Sequence, residues 1–127
     1  MKEISDNQGF TGKYKEEFKN GSISQEGKMV EGLKSGEWKY YSVNGNLKAI
    51  GKYKNNKMQG PWKWYRKGGE PLQEGSMKDD KKTGVWKRFH PNGNLLDQGE
   101  FRNGKKVGEW TEYNEKGELR STKEHKK

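Results

Sequence analysis

Few side chains in this chain could do covalent or acid–base chemistry. There are two histidines, His90 and His125. His90 immediately precedes Pro91-Asn92-Gly93 and reads as a turn residue; His125 falls in the lysine-rich final segment. Neither stands at a telling distance from a nucleophile or a carboxylate. Asp79-Asp80 could begin a cation site, but a hard cation needs further oxygen ligands, and the pair also reads as turn chemistry. The chain has no cysteine, which excludes a thiolate nucleophile, a zinc–thiolate site and a disulfide framework. Paired carboxylates need burial to shift their pKa, and a chain that is 26% hydrophobic offers little of it. The expectation is a protein without catalytic residues, metal or cofactor.

What remains is the chemistry of recognition. Tyr40 and Trp64 share a column, 24 residues apart, with Glu16, Arg88 and Glu112. The position therefore does not demand an aromatic, and a large ring there reads as part of an exposed interface patch. Lys39, Lys63 and Lys87, with Lys15, form the adjoining column. Tyr40, Trp64, Arg88 and these three lysines are the candidate partner-binding residues. A second basic group is Lys54, Lys57, Lys78, Lys81, Lys82, Arg102, Lys105 and Lys106, clustered in the connections between repeats. With a formal net charge of +9, an acidic partner or surface is the expected complement. The same lysines also suit solubility and the guarding of exposed strands.

These columns exist because the chain repeats. Trp38, Trp62, Trp86 and Trp110 are 24 residues apart, and Gly36, Gly60, Gly84 and Gly108 precede them by two positions. Further glycine columns run Gly21, Gly45, Gly69, Gly93, Gly117 and Gly27, Gly51, Gly75, Gly99; an apolar column runs Met29, Tyr53, Met77, Phe101. A worn first copy begins at Gly12, with Tyr14 in the Trp place. A constant period in this range predicts a stacked repeat architecture. The low hydrophobic content argues for a thin structure, and the fixed phase of the aromatics argues against disorder.

Within one copy, residues 85–90 are short and β-favouring, His90–Gly93 suits a type I turn with a bulge, and residues 94–102 form a second strand. On this reading Leu95, Gly99 and Phe101 share a face. A three-residue loop sets Phe89 on the face of Leu95; a four-residue loop sets Trp86 there. The connection between copies centres on Gly32, Asn56, Asp80 and Gly104, types that tolerate left-handed backbone, so the column reads as a backbone requirement. The predicted fold is all-β: an elongated single-layer antiparallel meander of about five hairpins. Residues 1–11 are a lead-in or cap. Residues 12–121 hold the repeats (12–35, 36–59, 60–83, 84–107 and 108–121), and 122–127 are a basic C-terminal tail. The Trp column has two readings, rings packed on glycines or an exposed ladder for a ligand.

The unit Gly-x-Trp-x-x-Tyr, Asn-Gly-x-Leu, Gly-x-Tyr/Phe, Asn-Gly-Lys-x-x-Gly resembles the bacterial variant of the MORN repeat, across about residues 12 to 121. The resemblance implies an elongated sheet of hairpins serving as an interaction module, with ties to phospholipid binding and to antitoxin or immunity proteins in some relatives. The chain departs from the pattern at Glu17, in the Tyr place, and at Pro71-Leu72. The leading expectation is a non-enzymatic module for protein–protein interaction, of antitoxin or immunity type. The alternative is peripheral binding of anionic phospholipid headgroups or nucleic acid through the lysine-rich rim. No apolar run approaches the length of a signal peptide or a membrane span, so the expected compartment is the cytoplasm. Unprotected edge strands also suit pairing into a dimer.

Overall fold

The computed structural model describes residues 9–126. Ten strands follow one another: β1 (Gly12–Glu17), β2 (Ile23–Val30), β3 (Leu33–Tyr41), β4 (Leu47–Lys54), β5 (Lys57–Tyr65), β6 (Pro71–Lys78), β7 (Lys81–Phe89), β8 (Leu95–Arg102), β9 (Lys105–Tyr113) and β10 (Leu119–His125). They form one sheet in sequence order, each antiparallel to the next. At ~4.8 Å per strand the ribbon is ~45 Å across. β10 continues to His125, so most of the segment expected to be a basic tail is the closing strand of the last hairpin.

Two kinds of turn alternate. Between copies, both central residues have positive φ: Glu31 and Gly32 at 48° and 80°, Asn55 and Asn56 at 50° and 72°, Asp79 and Asp80 at 48° and 69°, Asn103 and Gly104 at 50° and 81°. These are two-residue type I′ turns, whose twist matches that of the flanking strands. The expectation of a pure backbone requirement needs a correction here. Asn56 Oδ1 accepts the Lys34 N–H at 2.9 Å, and Asp80 Oδ1 accepts the Met58 N–H at 2.8 Å. At these two turns the side chain ties the turn to the previous copy, whereas at Gly32 and Gly104 the backbone N–H alone does so, to the Phe10 and Lys82 carbonyls.

Within copies, the Gly93 N–H donates to the His90 carbonyl at 2.9 Å, and the His90 N–H donates to the Asn94 carbonyl at 2.8 Å. The loop is thus the three-residue one, and Phe89 lies opposite Leu95. A bulge follows at once, since Asp97 lies opposite Arg88. It inserts one residue and flips the side-chain alternation. Leu95 therefore faces away from Gly99 and Phe101, contrary to their even spacing.

The core is a single row. Trp38, Trp62, Trp86 and Trp110 are 0%, 1%, 2% and 7% exposed, although the sheet has no second layer over them. Each indole lies on the glycine of the preceding strand. A Cβ built on Gly27, Gly51, Gly75 or Gly99 would fall inside the ring of Trp38, Trp62, Trp86 or Trp110. Each indole N–H donates to a backbone carbonyl ten residues earlier, as Trp38 does to Lys28 at 2.9 Å. At 150–250 Å² per ring, this burial contributes about 4–6 kcal/mol per copy before entropy. Gly36, Gly60, Gly84 and Gly108 serve differently. Their φ values of 67–72° make a bulge that aims the Trp two residues later.

The ends break the pattern. Lys123 of β10 stands opposite Trp110, where internal even strands carry glycine, so it fills the place a further Trp would need. Phe10 closes the other end against Tyr14 at 6.5 Å between ring centroids. Edge pairing of a second copy in the repeat register is therefore obstructed at β10.

Candidate functional site

Alternation gives the sheet two chemically different faces. Across one face run the directly paired residues Lys15–Glu26–Lys39–Ile50–Lys63–Glu74–Lys87. Across the other runs the indole row, and beside it Glu16–Gln25–Tyr40–Ala49–Trp64–Gln73–Arg88–Asp97–Glu112. The candidate binding residues thus divide. Tyr40, Trp64 and Arg88 share the aromatic face, whereas Lys39, Lys63 and Lys87 lie on the reverse, because neighbours in a strand point to opposite sides. The lysines of that column also face Glu26 and Glu74 across the strands, so their charge is partly balanced.

Tyr40 and Trp64 are half-buried rather than fully exposed. They are shingled between the indoles. Tyr40 lies 6.5 Å from both Trp38 and Trp62, and Trp64 lies 5.6 Å from Trp62 and 5.5 Å from Trp86. Tyr53 meets Trp62 edge-on at 5.2 Å. Ala49 sits between Tyr40 and Trp64 in their row and is the small residue of it. The result is a basin of about 500 Å³ with Ala49 and Trp62 at its base, bordered by Tyr40, Tyr53, Met58 and Trp64, with Lys48 at its rim.

The basic rim is also divided. Lys54 and Lys57, Lys78 and Lys81, and Arg102 and Lys105 are opposed pairs flanking the type I′ turns. Lys82 and Lys106 are not on that rim. Their ammonium groups lie 4.8 Å and 4.6 Å from the Trp86 and Trp110 centroids. Lys34, which sequence reasoning passed over, does the same at Trp38, 4.8 Å away, and is also 5.1 Å from the Tyr40 ring and 4.9 Å from Tyr53. The column Lys34, Met58, Lys82, Lys106 was available at the 24-residue period. In it the second copy substitutes Met58 for the lysine.

The polar groups of this face are tightly linked. Lys34 Nζ donates to the Tyr40 hydroxyl at 2.7 Å, and the Tyr40 and Tyr53 hydroxyls are 2.6 Å apart. Burial pushes the Lys34 ammonium below the usual lysine range, with Glu16 opposing it. Burial, together with positive neighbours Arg88 and Lys106, lowers Lys82 as well, while Asp97 opposes. Burial, reinforced by the bond to Tyr53, drives the Tyr40 hydroxyl far above the ordinary tyrosine value. On the other face burial and the bond to Glu26 raise Tyr41 to about 12. Arg88 holds Asp97, which is 7% exposed, through Nε at 3.0 Å and a terminal nitrogen at 2.7 Å. Among the described residues no group of three His, Cys, Asp or Glu is placed to hold a metal, and no helix is long and apolar enough to cross a membrane.

The raised tyrosines give a pH prediction. The fold favours the neutral hydroxyl, so its stabilising effect is complete below the unfolded value near 10 and is lost as pH rises through the folded values. In a tyrosinate absorbance titration, Tyr41 is expected to ionise at about 12 and Tyr40 only with unfolding. Ionisation of all six tyrosines together near pH 10 would refute the bonded network.

The sheet of repeated hairpins with a one-sided indole row defines a β-repeat protein. The chain matches the MORN repeat variant family over residues 34–55, 82–103 and 106–127, just over half its length, and belongs to that family. The third match includes β10 and residues beyond it. No curated protein matches the chain. Repeats of this family are generally associated with protein or membrane-lipid binding, and the fold is typically a non-catalytic binding module.

Proposed function

We propose that this chain is a protein-binding module without catalytic activity, which masks an acidic protein surface with the aromatic face around Tyr40 and Trp64, as an antitoxin or immunity protein would. The observation that carries the reading is the contiguous Tyr40–Ala49–Trp64 stretch. There the interleaved row is apolar, whereas elsewhere it holds Glu16, Gln25, Gln73, Arg88, Asp97 and Glu112. The repeat does not require rings at these positions, and half-buried aromatics flanked by cations suit the centre of an interface. In a pull-down from source-organism lysate, the unmodified chain should retain one protein at near-equal amount through high salt and nuclease. Tyr40→Ala with Trp64→Ala should lower that affinity by about a thousandfold, the scale of two interface hot spots. Unchanged retention by the folded double variant would overturn the assignment.

The opposed cation pairs on the rim favour a second reading, the binding of anionic headgroups or nucleic acid. Like charges directly opposite cost stability, so their recurrence at three turns suits a polyanion that neutralises them. Binding of this kind falls steeply with salt. Replacing Lys54, Lys57, Lys78 and Lys81 by Glu should abolish vesicle or nucleic-acid binding; a variant that still binds would count against the rim.

A further inference from the structure

The seam between the second and third copies differs from the other seams in three ways at one place. Met58 replaces the lysine that elsewhere covers the Trp, Trp64 widens the aromatic surface, and Ala49 leaves the row low between Tyr40 and Trp64. These coincide at the basin of about 500 Å³. We infer that this basin seats one aromatic side chain carried on an acidic segment of a partner protein. The inference rests on the protein-binding reading above and specifies the partner's chemistry.

Three observations support the assignment. The volume lies in the range of sites that take small groups. The bordering rings are offset at 5.2–6.5 Å centroid separations, so a further ring laid over Ala49 continues an existing packing pattern. The lining holds Lys48 and no carboxylate, while the Lys34 ammonium lies beside Tyr40 and Tyr53. An incoming lysine or arginine would meet Lys48 and Lys34, and the nearby acid Glu16 is already bonded to Tyr14 and Gln25, so the charge next to the inserted ring should be negative. Ala49 sets the capacity: a larger side chain at this position would occupy the base of the basin.

The test uses the full chain and two pentapeptide probes, four glutamates around either a central phenylalanine or a central glycine. Binding is followed by NMR at the Ala49 methyl and the Trp64 indole N–H. The phenylalanine peptide should give saturable shifts at both and bind at least about tenfold tighter than the glycine peptide. In the folded Ala49→Leu variant that advantage should disappear, with glycine-peptide binding unchanged. Equal affinities for the two peptides, or shifts confined to the Lys39, Lys63 and Lys87 face, would overturn the inference on the unmodified chain alone. Should Tyr40→Ala with Trp64→Ala still release the protein partner in that case, the seat is wrong and the face reading stands. Should the double variant also retain the partner, both fail.

Discussion

Gly51→Ala is expected to destabilise the protein by about 3 kcal/mol, the upper end of overpacking costs. Gly51 does not have the positive φ of the turn glycines, so alanine suits its backbone. The penalty is steric alone: the added methyl would fall within the Trp62 indole, which is 1% exposed and rests on this glycine. The ring cannot tilt away without losing its N–H bond to the Lys52 carbonyl, at 3.1 Å, and its contacts with Tyr40, Tyr53 and Trp64. Gly60→Ala is the matched control. Nothing lies within 4 Å of a Cβ at Gly60, but its φ is 72°, so the cost is strain of about 1 kcal/mol. Denaturant midpoints of the two variants separate packing from strain. Equal losses would contradict the stacking of Trp62 on Gly51. Because each strand pairs only with its sequence neighbours and its rings reach no further than the next copy, the Gly51 defect should also split unfolding into two phases.

Arg88→Met is expected to cost about 2 kcal/mol. It strips the partner from Asp97, whose side chain is 10% exposed, and an uncompensated buried carboxylate is expensive. The figure is kept below the usual cost for buried pairs because the Arg88 side chain is 54% exposed and solvent screens it. The double change Arg88→Met with Asp97→Leu removes both charges from the aromatic face and should restore most of the loss. A double-mutant cycle of chemical denaturation reads this directly. If Arg88→Met alone is neutral, or the double variant loses the sum of the single effects, the pair does not work as a unit on this face.

The period made the fold legible. A 24-residue repeat of Trp, Gly and turn residues is enough to predict ten strands in sequence order, because every copy must pair with the next in one way. Side-chain facing was harder to read. The bulge between Leu95 and Asp97 reverses the alternation and leaves no signature beyond an extra residue, whereas the glycine bulge before each Trp adds two residues and keeps it. That is why Leu95 seemed to share a face with Phe101; Lys82 and Lys106 were grouped with Lys81 and Lys105 by their place beside the connections, although plain alternation separates them. One residue along a strand moves an ammonium from the rim to an indole. Tyr40 and Trp64 were found as departures from the repeat. Ala49 and Met58, which shape the basin between them, are unremarkable by residue type and gain meaning only from their position beside the rings.

The central claim is that the partner covers the aromatic face and leaves the reverse open. Lysine acetylation footprinting of the free chain and of its complex, read by mass spectrometry, tests it without altering a residue. The account predicts protection of Lys34 and Lys48 beside the basin, with Lys39, Lys63 and Lys87 modified as in the free chain. Protection of Lys39, Lys63 and Lys87, with Lys48 left reactive, would contradict it and place the interface on the basic face.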